Sequence, residues 1–100
     1  MFDKLMSQMQ EQAEEIKKKL DNTIVEAEVE NGLIKVKATG NKKILSVEIS
    51  DDIVNDKEAL EDLLIVAINK TLEKAEEVSQ KETGAMAKDM LPGGFGNMFG

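Results

Sequence analysis

Apolar residues recur along this chain in two periods, and each period predicts an element. From Phe2 to Leu20 they fall at Phe2, Met6, Met9, Ala13, Ile16 and Leu20, alternating steps of four and three that mark a heptad seam on a helix. Leu5 adds to that face. The seam is narrow, so this helix is expected to lie along another helix rather than deep in a core. Gln8, Gln10, Glu11, Gln12, Glu14 and Glu15 form its solvated face, and Asp21-Asn22 breaks it.

The period then changes to two. TIVEAEVE and LIKVKAT flank Asn31-Gly32, a dipeptide that tolerates the positive φ of a type I′ turn and so predicts a hairpin. A two-residue turn sets Val29 against Ile34, Ala27 against Val36 and Val25 against Ala38 on one face. On the other it sets Glu28 against Lys35 and Glu26 against Lys37. Both faces are chemically matched. After a turn at Gly40-Asn41-Lys42-Lys43, ILSVEIS returns as a third strand. Leu45, Val47 and Ile49 join the apolar face, and Ser46 and Glu48 fall opposite Lys37 and Lys35. Ile24, Thr39 and Ile44 gather at one end of the polar face, as a rim patch under a loop.

A helical period resumes at Leu60, Leu63, Leu64, Ala67, Ile68, Leu72 and Ala75. Ile65 and Val66 widen that stripe beyond a normal amphipathic face. A helix this apolar in a small chain needs cover on two sides, and an identical chain is the commonest second cover. Asn55 is the expected N-cap, with Glu58 at N3 as a capping-box variant. The acidic Asp56, Glu58, Glu61 and Asp62 suit the positive end of the helix dipole. The helix is expected to run to about Glu82 and stop at Gly84, with a weak extension over Ala85 to Met90. The expected fold is α+β: an α-β-β-β-α chain whose three-stranded antiparallel meander packs against the long C-terminal helix. One domain covers residues 1–84, followed by a flexible Gly/Met-rich tail over 85–100 in which Phe95, Met98 and Phe99 are the docking candidates.

Composition narrows the function. The 100 residues include no Cys, His, Trp, Tyr or Arg, and all 13 basic residues are Lys. That inventory removes the usual general base, the usual activated nucleophile and the soft metal ligands. No glycine phosphate loop or paired-carboxylate constellation is present, so neither an enzyme nor a small-molecule substrate is expected, and no cofactor. Asp51, Asp52, Asn55 and Asp56 lack the spacing and central Gly of a calcium loop; a strand-end turn and a helix cap account for them. No apolar run is long enough to span a bilayer, and the N-terminus turns polar too early for a signal peptide. A soluble cytoplasmic protein is expected.

The net charge of −7 is lopsided. Residues 1–43 balance eight acids with eight lysines, whereas residues 44–84 hold eleven acids and four lysines. On charge alone this argues against nucleic acid, whose phosphates are bound by basic surface. The lysines are nonetheless clustered. Lys17-Lys18-Lys19 ends the first helix, where it compensates the dipole and is also a candidate phosphate contact. Lys42 and Lys43 sit on a turn tip, as solvation or as phosphate contact. Lys35 and Lys37 have Glu partners across the hairpin.

The chain resembles the YbaB/EbfC family of bacterial nucleoid-associated proteins over nearly its whole length. The resemblance is carried by the Met/Gln-rich opening MFDKLMSQMQEQAEEIKKKL, the phrase NGLIKVKATGNKKILSVEIS, the segment NDKEALEDLLIVAINKTLEKAEE and the closing LPGGFGNMF. It implies a homodimer whose helices project like tweezers. It also implies binding of double-stranded DNA with little sequence preference, a change in DNA conformation, and a place on the nucleoid in the cytoplasm. Chromosome organisation, gene regulation and DNA protection are the roles implied. Carried onto this sequence, the contacts fall on Lys4, Lys17, Lys18 and Lys19 of the first helix and Lys74, Lys81 and Lys88 of the distal long helix. The lack of Arg removes bidentate readout of guanine, so binding should be shape-tolerant and lost as salt rises. The competing reading is a dimeric protein-interaction scaffold without direct DNA binding, suggested by the acidic long helix and the Met/Phe tail.

Overall fold

A computed structural model describes residues 2–90, with side chains described through residue 85. The elements are α1 (Phe2–Asp21), β1 (Ile24–Val29), β2 (Ile34–Thr39), β3 (Ile44–Ile49) and α2 (Lys57–Met90). The strands form one antiparallel sheet in the order β1-β2-β3. The expected residues 91–100 of the tail lie outside the described residues, as do the side chains of Met86, Lys88 and Met90. Helix α2 continues through Gly84 to Met90. With nothing within 4 Å of where a Gly84 Cβ would stand, no neighbour turns the chain there, and a single exposed Gly costs a helix interior only about 1 kcal/mol.

The first hairpin has the register that its turn dipeptide predicts, from Val25↔Ala38 to Val29↔Ile34, with Glu26↔Lys37 and Glu28↔Lys35 on the outer face. The turn itself is broader. Glu30, Asn31 and Gly32 all adopt positive φ (49°, 56° and 88°), and the Gly32 and Leu33 amides both donate to the Val29 carbonyl at 3.1 Å. Four residues therefore connect the strands in a left-handed turn, and the pairing is unchanged because the residue count between Val29 and Ile34 is the same.

Strand β3 pairs as expected at Lys35↔Glu48, Val36↔Val47 and Lys37↔Ser46. Beyond Lys37 the ladder slips by one residue, so that Ala38 faces Ile44 rather than Leu45. This bulge lies where the chain leaves the Gly40–Lys43 turn, and bulges are common at strand ends, where an extra residue tightens the local twist. It breaks up the expected rim patch: Ile44 pairs with Ala38, while Thr39 is buried and Ile24 stays exposed.

Helix α2 crosses β1 and β2, not β3. Val29, Ile34, Val36 and Ala67 form one buried cluster, flanked by Leu60, Leu63, Leu64 and Ile68. Val25, Ala38 and Ala75 form a second, flanked by Val78. The innermost line of α2 is Ala67, Thr71 and Ala75, all fully buried. Residues four apart stack on one helix face, and small ones let the helix axis approach the sheet closely. The buried Thr71 hydroxyl donates to the Ala67 carbonyl at 2.8 Å, which removes the cost of an unpaired polar group. The wide apolar stripe is thus divided. Leu60, Leu63, Leu64, Ile68 and Leu72 are half-buried, while Ile65 and Val66 are 60% and 50% exposed.

The helix begins one residue later than Asn55 predicts. The Asp56 carboxylate accepts from the Ala59 amide at 3.2 Å, so Asp56 is the N-cap and Ala59, not Glu58, stands at N3. Asn55 belongs to the preceding turn, whose position is set by Ile53, a buried anchor bonded back to the Ser50 carbonyl.

Helix α1 projects. Phe2, Leu5, Met6 and Met9 are exposed, and only Leu20 is buried along the seam that periodicity picks out. Towards its C-terminus the helix meets α2, where Lys19 pairs with Glu82. The radius of gyration is 18.7 Å, against about 13 Å for a compact domain of this length, as projecting helices require.

Candidate nucleic-acid interface

The place where α1 joins the sheet is the most tightly specified junction of the chain. A helix ends with four carbonyls that lack intrahelical partners. Here the Lys17, Lys18, Lys19 and Leu20 carbonyls take donors from beyond the helix, and two of those donors come from the turn between β2 and β3. The Asn41 amide Nδ2 donates to the Lys17 carbonyl at 3.0 Å. Asn22 Nδ2 donates to Lys18 at 3.0 Å and the Thr23 hydroxyl to Lys19 at 2.7 Å. The Gly40 amide donates to Leu20 at 3.0 Å. Asn41 Nδ2 also reaches the Asp21 carboxylate at 2.5 Å.

Gly40 is required by close approach rather than by its dihedral angles. A Cβ there would stand 2.8 Å from Leu20 Cδ2 and 3.2 Å from the Leu20 carbonyl oxygen. Lys42 takes the positive φ of the turn (68°). The Thr39 hydroxyl anchors the turn from below by accepting from the Asn41 and Lys43 amides at 3.2 and 3.3 Å.

This junction brings together two lysine groups that lie more than twenty residues apart in the chain. Lys18 and Lys19 occupy the last turn of α1, with Lys17 just before them, and Lys42 and Lys43 follow the residue that caps it. All five are exposed. The distal part of α2 runs alongside and adds carboxylates. Lys19 Nζ pairs with Glu82 Oε2 at 2.9 Å, and Lys42 pairs with Glu76. The second pair, first by its hydrogen bond and then by its charge, holds the Glu76 carboxyl below the usual carboxylate range; Gln80 adds a further hydrogen bond.

The other lysine candidates are dispersed. Lys4 stands exposed near the start of α1, and Lys81 is exposed on α2 next to Glu82. Lys74 is committed elsewhere: its Nζ donates to the Glu26 carbonyl of β1 at 2.7 Å, blunting that sheet edge. The Lys88 side chain lies outside the described residues. Among the described residues Lys4, Lys17, Lys18, Lys43 and Lys81 form no salt bridge. Sequence reasoning missed Gly40 and Asn41, which fix the junction, and Glu76 and Glu82, which line it. The G-N-K-K turn carries no local signal that it will cap a helix some twenty residues upstream.

A second surface is apolar. Ile44, Leu45, Val47 and Ile49 of β3 are 39%, 48%, 40% and 38% exposed. With Ile65 and Val66 of α2 they form the large uncovered apolar side chains of the folded unit outside α1, together with Ile24 and Val54. Among the described residues no His, Cys, Asp or Glu group is arranged to hold a metal ion, and no helix is long and apolar enough to cross a membrane.

Comparison with known proteins agrees with the resemblance in the sequence. The family model of the YbaB/EbfC DNA-binding family matches residues 1–90. The chain belongs to this family. A nucleoid-associated protein of Flavobacterium johnsoniae is 38% identical over 96 residues, spanning 94% of this chain and 91% of the relative. A nucleoid-associated protein of Neisseria meningitidis serogroup C is 40% identical over 102 residues, spanning 95% and 91%. An uncharacterized Helicobacter pylori protein has the same fold, with a TM-score of 0.80 over 86% of this chain and 92% of that one at 23% identity.

Proposed function

We propose that this protein is a nucleoid-associated DNA-binding protein that grips double-stranded DNA by its phosphates, with little sequence preference. Family membership supports DNA as the partner. The observation that carries the contact surface is the convergence of Lys17, Lys18 and Lys19 with Lys42 and Lys43, held by the Asn41 bond to the Lys17 carbonyl. Lysine ammonium groups serve as point charges for phosphate and lack the planar fork that reads guanine, so contacts of this kind position DNA without reading bases. Lys4 and Lys81 extend the basic surface along the two helices, and Lys88 is assigned to it from the sequence. Lys74, tied to β1, is the weakest of the nine candidates.

The working unit is a homodimer. The exposed apolar residues of β3, with Ile65 and Val66, are the surface that a second copy covers, because uncovered large apolar side chains mark interaction sites. Two copies joined there carry two projecting α1 arms and two lysine junctions, suited to holding or bending a duplex on the nucleoid, in the cytoplasm. No reaction is assigned to the chain.

Titration of labelled duplex DNA near 50 mM and 200 mM salt tests the proposal. Binding is expected at the lower salt and steep loss at the higher, with similar affinity for unrelated sequences. Absence of binding near 50 mM salt would refute it and favour the protein-interaction reading.

A further inference from the structure

We infer that Glu76 and Glu82 are a built-in brake on DNA binding: they occupy Lys42 and Lys19, two of the five junction lysines, and phosphates must displace them. The inference rests on the DNA-binding reading above and deepens it, because it concerns how much of the basic surface is available.

The geometry places these carboxylates where no other acidic side chain of α2 reaches a lysine among the described residues. Six helix positions separate Glu76 from Glu82, about 9 Å of rise, so one stretch of α2 serves both α1 and the turn. Glu76 is oriented by Gln80, whose Nε2 donates to its Oε1 at 3.2 Å from one helical turn away. Both lysines nevertheless remain open to solvent, with Lys19 64% and Lys42 49% exposed. A phosphate can therefore reach each ammonium group, and the pairs are too exposed to matter much for folding.

The physical signature lies in affinity. A lysine that meets a DNA phosphate releases close to one condensed cation. A lysine that must first leave a carboxylate releases the same cation but gives up its ion pair, and the abandoned carboxylate then stands beside the phosphates and repels them. Replacing the carboxylate by an amide keeps the side-chain shape and removes both costs.

The test is a salt titration of duplex binding by the full chain and by Glu76→Gln, Glu82→Gln and the double variant. A Glu61→Gln/Asp62→Asn variant supplies the same change in net charge near the start of α2, away from the junction. Each junction substitution should tighten binding at 50 mM salt by a factor of about 1.5 to 5, the reach of an exposed ion pair. The double variant should gain roughly the product of the two single gains. The control should gain distinctly less. Adding Lys19→Gln and Lys42→Gln to the double variant should abolish the gain. A double variant with the wild-type affinity, or a control that gains equally, overturns the brake while leaving DNA binding intact. Binding by neither protein at 50 mM salt overturns the brake together with the reading it rests on.

Discussion

Strands β2 and β3 have the same length and nearly the same apolar pattern, yet they have opposite fates. In IKVKAT the inward residues Ile34, Val36 and Ala38 are fully buried. In ILSVEI every residue is exposed. Ile34 and Ile49 are direct cross-strand partners, and one is 0% and the other 38% exposed. The cause is the placement of α2, which lies over β1 and β2 and leaves β3 as an uncovered edge. Apolar alternation thus marks which residues seek cover, and says nothing about whether the chain itself provides it. β2 is covered from within; the apolar face of β3 is a demand directed outward.

The largest expected effect separates the two strands. Ile34→Ala should destabilise by about 2–5 kcal/mol, as for other buried aliphatic truncations, read from the urea midpoint. Ile49→Ala should cost distinctly less, and equal losses would show that β3 is as well covered as β2. Next, Val47→Asp should convert a particle with the mass of two chains into one with the mass of a single chain, measured by light scattering at micromolar concentration. An unpaired charge is not tolerated in a closed interface, so an unchanged mass would place the contact between copies elsewhere. Wild-type protein with the mass of one chain would remove the homodimer altogether.

A smaller effect concerns the start of α2, the element that decides which strand is covered. Asp56→Ala should cost about 1 kcal/mol, as loss of an N-cap does, while Asn55→Ala should be close to neutral. The reverse order in thermal melts would restore Asn55 as the cap. The smallest effect is electrostatic. The Glu76 carboxyl is held below its ordinary value by Lys42, so its contribution to stability is present above the ordinary carboxylate range and is lost as pH falls through the lowered value. Wild type and Glu76→Gln should therefore differ slightly in stability at neutral pH and converge in acid. A gap that persisted in acid would assign the difference to something other than this ion pair.

Much of the fold was legible because it follows from local rules. The Asn31-Gly32 dipeptide predicts the hairpin register, and the observed pairing matches it from Val25 to Val29 even though Glu30 also turns left-handed. The charge pairs across β1, β2 and β3 follow from that register. The helix cap falls one residue beyond Asn55 because Asn55 and Asp56 are both good caps, and the choice between them depends on Ile53 anchoring the preceding turn. The bulge opposite Ala38 and the burial of Thr71 had no local signal. Thr71 is inside because α2 must lie close to the sheet there and because its hydroxyl can bond back to Ala67.

The candidate site divides in the same way. The lysines are visible in the sequence as two short runs, Lys17-Lys18-Lys19 and Lys42-Lys43. That they form one surface depends on Asn41 and Gly40 capping α1, a contact over more than twenty residues. The two glutamates that temper this surface lie in the most acidic part of the chain, where composition alone argued against DNA.

By itself the sequence determined the element order, the hairpin register, the residues that need cover and the chemistry available, because periodicity, turn dipeptides and residue type act over a few neighbours. Only the tertiary structure decided that α2 covers two strands and not the third, that α1 projects with its apolar seam exposed, and that lysines from two segments meet beside Glu76 and Glu82. Those outcomes depend on which surfaces, distant in the chain, pack together, and that choice is set by close fit and by partners for buried polar groups rather than by any local pattern.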